Sequence, residues 1–481
     1  MNKCTQFYIN GQWHTPTNAE IREVINPATE QPCGQISMGS ADDIDLAVAA
    51  AKQSFSDWSQ TSREQRIELL SNIITTYKKY YAEIVTAITT EMGAPTKLSE
   101  SIQASMGIAH FSTTLEVLKD FEFEHAMATT QVHKEAIGVV GLITPWNWPM
   151  NQVVCKVAPA LAAGCTIVLK PSQDSALSAY ILAKVMDEAG VPAGVFNLVN
   201  GSGAGIGDYL CGHPDVDMIS FTGSTQAGVY VAKKAAETIK RVSLELGGKS
   251  ANIILDDADF VRAVGGNITG CFGNTGQTCT APTRMLVPNS RLEEAISIAK
   301  AGAEQALQSV GIPTDPTTEI GPVANKSQFD KIQQMIQVGI NEGATLVAGG
   351  LGKPAGLETG FYVKPTVFAH VNNSMAIAQE EIFGPVLCII GYENDEDAIR
   401  IANNSPFGLA GYVSSASLER AQKVAAKMRT GMVHINGAKP DLMAPFGGYK
   451  QSGNGREWGE HGVEDFLETK AVMGWNAKSA T

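Results

Sequence analysis

The sequence lacks the signals of several large classes of protein. It has no run of lysines and arginines, and acidic residues outnumber basic ones by 49 to 36, for a net charge of −13 at pH 7. This balance argues against nucleic acid and anionic membranes as main partners. The N-terminal residues contain no apolar signal segment, and a twenty-residue stretch without a charge, 136–155, contains two glycines and two prolines. We therefore expect neither a secretory signal nor a membrane span, and interpret that stretch as a buried strand and loop.

Cysteine spacing and missing motifs exclude further classes. The eight cysteines form no CxxC pair, so zinc and thioredoxin-type sites have no support and no metal site is predicted. Scattered thiols in a large chain are typical of the reducing cytoplasm, which is the expected location. The chain also lacks GxGxxG, GxxxxGKS/T, HExxH and GxSxG. The motifs typical of P-loop ATPases, zincins and α/β-hydrolases are therefore absent, and these classes have no support.

Length and hydrophobic periodicity predict a large α/β protein. The chain of 481 residues is long enough for about three domains, and 44% hydrophobic with 18% charged residues is an ordinary globular balance. Ser40, followed by Asp43 and an apolar face, marks the start of a first helix, and a helical pattern continues from 63 to about 90. From residue 137 apolar strands alternate with helices, and the alternation begins again after 248, which predicts parallel sheets with ligands at the carboxyl ends of their strands.

Individual elements follow from these patterns. The first half is expected to contain strands at 137–144, 166–170, 195–199, 218–223 and 241–246, with helices at 176–188 and 225–239. The second half is expected to contain strands at 252–255, 284–288, 361–368, 387–392, 408–415 and 431–436, with a helix near 295–310. Segment 121–140 is strand-like and polar, as a hairpin or arm would be, and residues 464–473 are expected to pair with it.

Three side chains could carry nucleophilic chemistry. Cys279 follows a loop of Gly, Asn and Gln that leaves room for a substrate, although a lone cysteine is more often a buried structural residue. Glu245 ends an apolar strand before two glycines, where a carboxylate can act as a general base or pair with Lys249. Asn147 stands between two tryptophans and two prolines, so its amide could donate to an oxyanion or occupy a turn.

Other segments suit a phosphate or a ribose. The turn from Gly223 through Ser224 to Gly228 joins a strand to a helix, where exposed backbone N–H groups favour a phosphate, but plain tight packing would explain it equally. Lys170 follows a strand and could bind ribose hydroxyls or be solvated. Glu381 precedes Phe383 and a Gly-Pro turn, which a solvated loop would also explain.

Taken together, these segments resemble the NAD(P)-dependent aldehyde dehydrogenase superfamily. The motifs stand in the family's order and spacing, from NPAT at 26–29 to PFGGYKQSG at 445–453. The resemblance implies an α/β, aldehyde dehydrogenase-like fold with three parts. These are a Rossmann-type cofactor domain (1–117 and 137–247), a second α/β catalytic domain (248–463) and a small β oligomerisation arm (118–136 and 464–481). It also implies a homodimer or homotetramer, without distinguishing the two.

The resemblance also implies roles for residues at matching positions. Cys279 resembles the family's nucleophile, Glu245 its general base, and Asn147, with the Cys279 backbone N–H, its oxyanion site. The residues that match the site for NAD, or alternatively NADP, are Ile143, Thr144, Trp146, Lys170, Ser172, Gln173, Gly203, Gly223, Ser224, Gly228, Leu246, Glu381 and Phe383. The residues that match the substrate tunnel and its mouth are Trp148, Gln152, Thr278, Thr280 and Lys439.

The implied reaction is oxidation of an aldehyde to a carboxylic acid. The Cys279 thiolate attacks the aldehyde, hydride passes to the nicotinamide, and water activated by Glu245 hydrolyses the thioester. Because the CoA-acylating members of the superfamily typically lack this glutamate, Glu245 favours the hydrolytic branch. Two other readings are a catalytically silent nucleotide-binding relative and a cysteine esterase.

Two positions bear on specificity. Strict NAD enzymes of the family often carry Glu three residues after the cofactor lysine, where it repels a 2′-phosphate, whereas this chain has Gln173. We therefore predict NAD use with relaxed discrimination against NADP. Lys439 could attract a carboxylate-bearing semialdehyde, or it could be an ordinary solvated loop lysine.

Overall fold

Strands and helices alternate along the chain in this computed structural model, which describes residues 2–17 and 19–476. The strands are β1 (Asn2–Cys4), β2 (Phe7–Ile9), β3 (Gln12–His14), β4 (Glu20–Asn26), β5 (Gln31–Met38), β6 (Glu124–Met127), β7 (Thr130–Ala136), β8 (Val139–Ile143), β9 (Thr166–Lys170), β10 (Phe196–Leu198), β11 (Met218–Thr222), β12 (Arg241–Glu245), β13 (Ala251–Ile254), β14 (Arg284–Pro288), β15 (Thr345–Ala348), β16 (Thr366–Ala369), β17 (Val386–Tyr392), β18 (Phe407–Gly408), β19 (Ala410–Ser414), β20 (Met432–Ile435), β21 (Tyr449–Lys450) and β22 (Leu467–Val472).

The helices begin at recognisable caps. Ser40 accepts a hydrogen bond from the Asp43 backbone N–H, and the Asp43 side chain accepts from the Ser40 backbone, as a capping box predicts. Among the described residues, none of the helices has both the length and the apolar character needed to cross a membrane. The α-helices are α1 (Ala41–Trp58), α2 (Arg63–Met92), α3 (Thr96–Leu98), α4 (Ala104–Asp120), α5 (Pro149–Ala163), α6 (Ala176–Glu188), α7 (Asp208–Gly212), α8 (Thr225–Ala235), α9 (Phe260–Phe272), α10 (Leu292–Gln308), α11 (Lys326–Asn341), α12 (Ala376–Gln379), α13 (Asp395–Asn403), α14 (Leu418–Ala425) and α15 (Gly459–Glu464).

The first seven-stranded sheet has the order β12–β11–β8–β9–β10–β2–β3, and its strands β8 to β12 run parallel. The chain moves one way from β8 through β9 to β10 and the other way through β11 to β12, so the order reverses between β8 and β11. Alternate residues face opposite cores: Val140 and Leu142 pack with α2, α4, α5 and α6, whereas Val139 and Ile143 pack with α1, α7 and α8. A crevice at the carboxyl ends beside this reversal is the expected ligand site.

The second seven-stranded sheet has the order β15–β16–β17–β14–β13–β19–β20, parallel except for β15. Leu286 and Ile390 belong to a core with α11, α13 and α14, and Met285 and Ile389 to a core with α9 and α10. Both halves are therefore sheets covered by helices on two faces, as the alternation of elements predicts.

A three-stranded sheet joins a strand near the C-terminus to the hairpin of β6 and β7. β22 pairs antiparallel with β7, with Leu467 opposite Ala136, and β7 pairs with β6. This confirms the predicted pairing of the late segment with the arm. No sequence pattern predicted that the β2–β3 hairpin extends the first sheet beside β10, or that β4 and β5 form another small sheet with β1.

Several predicted elements differ in detail. The strand predicted at 361–368 is limited to β16, because Pro365 precedes it and cannot donate to a ladder. The predicted loop at the end of 136–155 is the start of α5, which begins with Pro149 at a favoured first-turn position. The helix predicted at 225–239 ends at Ala235 and continues only as the 3-10 turn Ala236–Thr238.

The chain also departs from simple segment boundaries. Helix α4 continues to Asp120, so position 117 lies within a helix. Near the C-terminus, Val463 and Phe466 belong to the hydrophobic core of the first sheet although they follow the second sheet in sequence. The last residues assigned to the arm, 477–481, lie outside the described residues.

Candidate active site

Four strand ends of the first sheet bring predicted site residues to one edge. In the parallel ladder Ile143 lies opposite Lys170, and Thr222 lies opposite Glu245. The Gly223 backbone N–H donates to the Glu245 carbonyl at 3.1 Å, which joins the turn after β11 to the end of β12. Ser224 caps α8 by accepting from the Ala227 N–H at 3.3 Å. The strand pattern thus accounts for the position of these residues.

Cys279 is presented by a loop with an unusual backbone. Asn274, Thr275 and Gly276 have φ of +52°, +58° and +71°, three successive left-handed residues between α9 and β14. For residues other than glycine this conformation costs roughly 1–2 kcal/mol each, so the surroundings must hold it. Position 276 requires glycine for two reasons. One is its positive φ, and the other is that a Cβ there would lie 2.2 Å from the Gly384 carbonyl.

Buried amides hold this loop in place. The Gln103 side chain donates to Asn274 Oδ1 at 3.0 Å, and Asn274 Nδ2 donates to the Asn147 carbonyl at 2.9 Å. Asn147 Nδ2 donates in turn to the Gln277 carbonyl at 3.0 Å, and Gln277 Oε1 accepts from the Ala324 N–H at 2.8 Å. The amide of Asn147 has a second N–H, so one donor is still available to a ligand.

A cleft of about 190 Å³ lies between the two seven-stranded units. It is lined from both sides by residues of the strand ends, of the cysteine loop and of the segment 381–383. Its lining comprises Pro145, Trp146, Asn147, Gln152, Thr222, Gly223, Ser224, Leu246, Gly247, Cys279, Gln328, Lys331, Glu381 and Phe383. Cys279 and Asn147 therefore share one cleft with six of the predicted cofactor residues.

Three contacts hold the segment 381–383 on the far side of the cleft. Glu381 accepts from the Gly248 N–H at 2.9 Å, so it is not the solvated residue that the alternative interpretation described. Phe383 has φ of +63°, and its ring meets Trp146 edge to face with centroids 5.6 Å apart. The Gln328 amide donates to the Phe383 carbonyl at 2.8 Å, which stabilises this strained residue.

The electrostatics disfavour charge on both predicted reactive groups. Burial raises the pKa of the Cys279 thiol, and the carboxylates of Glu381, Glu245 and Glu457 raise it further. Burial likewise raises the pKa of Glu245 well above its usual range; Glu457 adds to this increase, whereas Lys156 and Arg456 oppose it. Neither Glu245 oxygen has a protein partner, so the alternative pairing with Lys249 does not form among the described residues. A thiolate therefore needs a base or a nearby positive charge.

Sequence reasoning missed a buried ion pair beside Glu245. Lys156 of α5 donates to Glu457 at 2.5 Å and to the Ser220 hydroxyl at 3.0 Å, with the lysine fully buried. The Cys155 thiol donates to the other Glu457 oxygen at 3.3 Å. A signal was present, because Lys156 is the one charged residue of the fifteen in α5, and a lone charge in a buried helix requires a partner.

The residues at the adenosine end suit a dinucleotide. Lys170 is buried at the end of β9, which contradicts the solvated alternative, and burial lowers its pKa to about 8. The hydroxyls of Thr144 and Thr222, at the ends of β8 and β11, are buried without a partner and could serve a bound group. Gly203 opens the π-helical turn Gly203–Gly207, and a Cβ at Gly207 would meet Lys170 Cδ at 3.5 Å. NAD(P) therefore fits the donors that this edge provides.

The predicted substrate residues divide between two spaces. Trp148 Nε1 donates to the Thr278 hydroxyl at 3.0 Å, and Gln152 lines the cleft with Cys279. Thr278 and Thr280 also line a separate cavity of about 690 Å³ on the second unit, whose rim includes Lys439. Among the described residues there is no group of three or more His, Cys, Asp or Glu suited to a metal ion.

Comparison with known proteins agrees with this architecture. The sequence model of the aldehyde dehydrogenase family matches residues 13–472. The 3-succinoylsemialdehyde-pyridine dehydrogenase of a Pseudomonas species is 56% identical over 476 residues, 99% of each chain. A mutant of aldehyde dehydrogenase C from Pseudomonas syringae, solved with NAD⁺ and octanal, is 48% identical with a TM-score of 0.98, covering 99% of this chain and 98% of that one. An aldehyde dehydrogenase of Mycobacterium tuberculosis solved with NAD⁺ is 40% identical with a TM-score of 0.95, covering 98% of each chain.

Both the sequence match and the structural match extend over almost the whole chain. They confirm the fold and the reaction class that the resemblance implied, and they do not favour a silent relative or an esterase. The chain therefore belongs to the aldehyde dehydrogenase family, and it is an oxidoreductase that oxidises aldehydes with NAD(P)⁺.

Proposed function

We propose that Cys279 is the nucleophile of a hydrolytic aldehyde dehydrogenase and that Asn147 and Glu245 assist it. The observation that carries this proposal is the shared cleft, in which Cys279 and Asn147 meet the predicted cofactor residues. The free N–H of Asn147 and the Cys279 backbone N–H hold the oxyanion formed when the Cys279 thiolate, its proton already lost, attacks the aldehyde carbon. The bound cofactor supplies a hydride acceptor.

Glu245 then resolves the thioester with water. Support comes from its two unpartnered oxygens, which are free to accept a proton from water, and from its raised pKa, which makes it a stronger base once ionised. Gly447 and Gly455 border this carboxylate, since a Cβ on either would lie within about 3.2 Å of Glu245 Oε1. The product is the free acid, as the hydrolytic branch requires.

NAD occupies the edge of the first sheet in this proposal. Lys170, Ser172 and Gln173 serve the adenosine ribose, while Glu381 and Phe383 serve the nicotinamide end. The remaining contacts come from Ile143, Thr144, Trp146, Gly203, Gly223, Ser224, Gly228 and Leu246. Structures of relatives with NAD⁺ support this cofactor, and the neutral Gln173 supports tolerance of NADP.

The substrate is an aldehyde whose tail is not yet specified. One relative is named for a semialdehyde of a succinoyl-pyridine, and another was solved with octanal. We propose Trp148, Gln152, Thr278 and Thr280 as the lining nearest the reacting carbon, with Lys439 farther out. A panel of short aliphatic, long aliphatic, aromatic and semialdehyde substrates ranks these possibilities by kcat/KM.

The organisation of the chain completes the proposal. The cofactor domain comprises 1–117 and 137–247, the catalytic domain 248–463, and the arm 118–136 and 464–481. Strand β6 is fully exposed at the edge of the arm, and an exposed edge favours pairing with another copy, as a homodimer or homotetramer would provide. The free thiols among the described cysteines are consistent with a cytoplasmic location.

The test is formation of reduced cofactor by the wild type and by Cys279→Ala across the aldehyde panel. We expect the variant to lose turnover with every aldehyde while still binding the cofactor, because only the nucleophile is removed. Cys33→Ala, a half-buried thiol on β5, is the matched control and should keep its activity. Undiminished turnover in Cys279→Ala would contradict the assignment, and ester hydrolysis without aldehyde oxidation would favour a cysteine esterase.

A further inference from the structure

The surroundings of Gln173 contain a cation, Arg22, that no sequence motif indicated. Arg22 lies on β4, and its side chain reaches the loop that follows β9. In one of its two orientations, the Gln173 amide gives both its oxygen and its nitrogen suitable hydrogen-bond partners. In that orientation the oxygen faces the Arg22 guanidinium. That oxygen then accepts from both terminal Arg22 nitrogens at 3.1 and 3.2 Å. Arg22 is therefore attached directly to the side chain that decides between NAD and NADP in the proposed function.

The guanidinium is only weakly paired with acidic groups. Its nearest carboxylate is that of Asp174, whose Oδ1 lies 3.5 Å from an Arg22 terminal nitrogen. The other oxygen, Oδ2, accepts a hydrogen bond from the Asn325 amide at 3.0 Å. The Arg22 side chain is 42% exposed, so one face remains open to a ligand. Arginine in such a position can bind a phosphate through two parallel hydrogen bonds.

The local charge balance favours an anion. Lys170 and Arg22 contribute two positive charges and Asp174 one negative charge, so the corner has a net charge of 2 − 1 = +1. A glutamate at 173 would bring the sum to zero and would pair with Arg22 itself. The neutral glutamine instead holds the guanidinium in place without neutralising it.

We propose that Arg22 binds the 2′-phosphate of NADP, with Gln173 as the residue that positions it. The inference rests on the proposed cofactor site, in which Lys170 and Gln173 face the adenosine ribose. A phosphate on the 2′-oxygen would replace the amide oxygen as acceptor for the guanidinium, exchanging a neutral hydrogen bond for a charge-assisted one. Arg22 and Gln173 together thus set the cofactor range of this enzyme.

The experiment measures binding of 5′-AMP and 2′,5′-ADP by calorimetry, which requires no aldehyde and no turnover. Wild type should bind 2′,5′-ADP within about tenfold of 5′-AMP. Arg22→Leu should weaken 2′,5′-ADP about tenfold more than it weakens 5′-AMP, and Arg22→Lys should fall between. Gln173→Glu should also weaken 2′,5′-ADP selectively, and the same order should appear in KM for NADP against NAD.

A matched control removes the same charge elsewhere. Arg400→Leu, on α13 with a side chain 68% exposed, should leave the ratio of the two affinities unchanged. Equal weakening of both nucleotides by Arg22→Leu, or no weakening of either, would overturn the proposal. Wild type that binds 5′-AMP but binds 2′,5′-ADP more than a hundredfold weaker would also overturn it, leaving the NAD site intact. Wild type that binds neither nucleotide would instead refute the proposed cofactor site and this inference with it.

Discussion

The two sides of the cleft are built by different means. On the first sheet, Lys170, Thr222 and Glu245 occupy the last positions of buried parallel strands, where the ladder fixes the backbone. On the second unit, Cys279 stands at the end of an irregular loop with three successive left-handed residues. The strand side needs no special hydrogen bonds to place its groups, whereas the loop side depends on buried amides from Gln103, just before α4, and from Asn147, in the loop after β8. A substitution on the strand side should therefore remove chemistry alone, and one in the loop should affect both stability and chemistry.

The largest effect is expected at the strand end. Glu245→Gln should lower steady-state kcat on the order of 10³-fold, because the thioester loses its general base. Rapid mixing should still show a burst of one reduced cofactor per site, since attack and hydride transfer do not need this carboxylate. The free energy of unfolding should change by less than about 1 kcal/mol, because neither oxygen has a partner to lose.

The control for this variant is Glu237→Gln, an exposed glutamate paired with Lys234 on the surface. It should keep both the burst and the steady-state rate. Full steady-state turnover in Glu245→Gln would refute its role as base.

A substitution in the cysteine loop should lower both stability and catalytic activity. Asn274→Ala removes the amide that joins Gln103, Asn147 and Gln277, and it leaves buried groups unsatisfied, so we expect about 2–4 kcal/mol of lost stability. Misplacement of Cys279 should lower kcat about 10- to 100-fold. Denaturant unfolding and kinetics on the same sample measure both effects.

Two further variants separate the causes. Asn274→Gly relieves the left-handed strain while still lacking the amide, so any stability it regains over Asn274→Ala measures the strain. Thr166→Val, on β9, replaces a buried hydroxyl without a partner and should be neutral or stabilising. If Asn274→Ala were as mild as Thr166→Val, the contrast between the two sides would be wrong.

A smaller effect tests the ion pair between Lys156 of α5 and Glu457, which lies just before α15. Glu457 raises the pKa of Glu245 and Lys156 lowers it, so Glu457→Gln should shift the acidic limb of the kcat–pH profile to lower pH. The base is active above its pKa; a lower pKa therefore keeps it ionised in more acidic buffer. The double variant Lys156→Met/Glu457→Gln, which removes both charges, should shift the limb less, and a limb that moves to higher pH in Glu457→Gln would contradict this account.

The smallest effect is expected at the exposed rim. Lys439→Ala should raise KM about fivefold for a semialdehyde that carries a carboxylate, which is the size of effect expected when one exposed ion pair is lost. KM for an uncharged aldehyde of equal length should not change. Unchanged KM for the acidic aldehyde would show that Lys439 is an ordinary surface lysine.

Much of the fold could be predicted because its signals are local. The strand at 166–170 and the helix at 176–188 have the predicted bounds, since each is an apolar run bordered by strong turn or cap residues. The extension of the first sheet by β2 and β3 could not be predicted, because a three-residue strand has too little pattern and its partner β10 is nearly 190 residues away.

The site divides in the same way. Local motifs identified Cys279, Glu245 and Asn147 as candidates, and the comparison with the family explained why they occur together. Gln103, Gln328 and Glu457 remained unnoticed, since each acts through a partner more than fifty residues away in sequence. Isolated polar residues of this kind give no periodic or motif signal.

The sequence by itself determined the alternation of elements, the reaction class and the identity of the candidate reactive residues, because these depend on local pattern and on motifs with a fixed order. Only the tertiary structure decided which charges surround them: Lys156 and Glu457 beside Glu245, and Arg22 beside Gln173. The reason is physical. Electrostatic interaction and desolvation depend on distance and burial, and neither quantity exists until strands and helices that are distant in sequence have packed together.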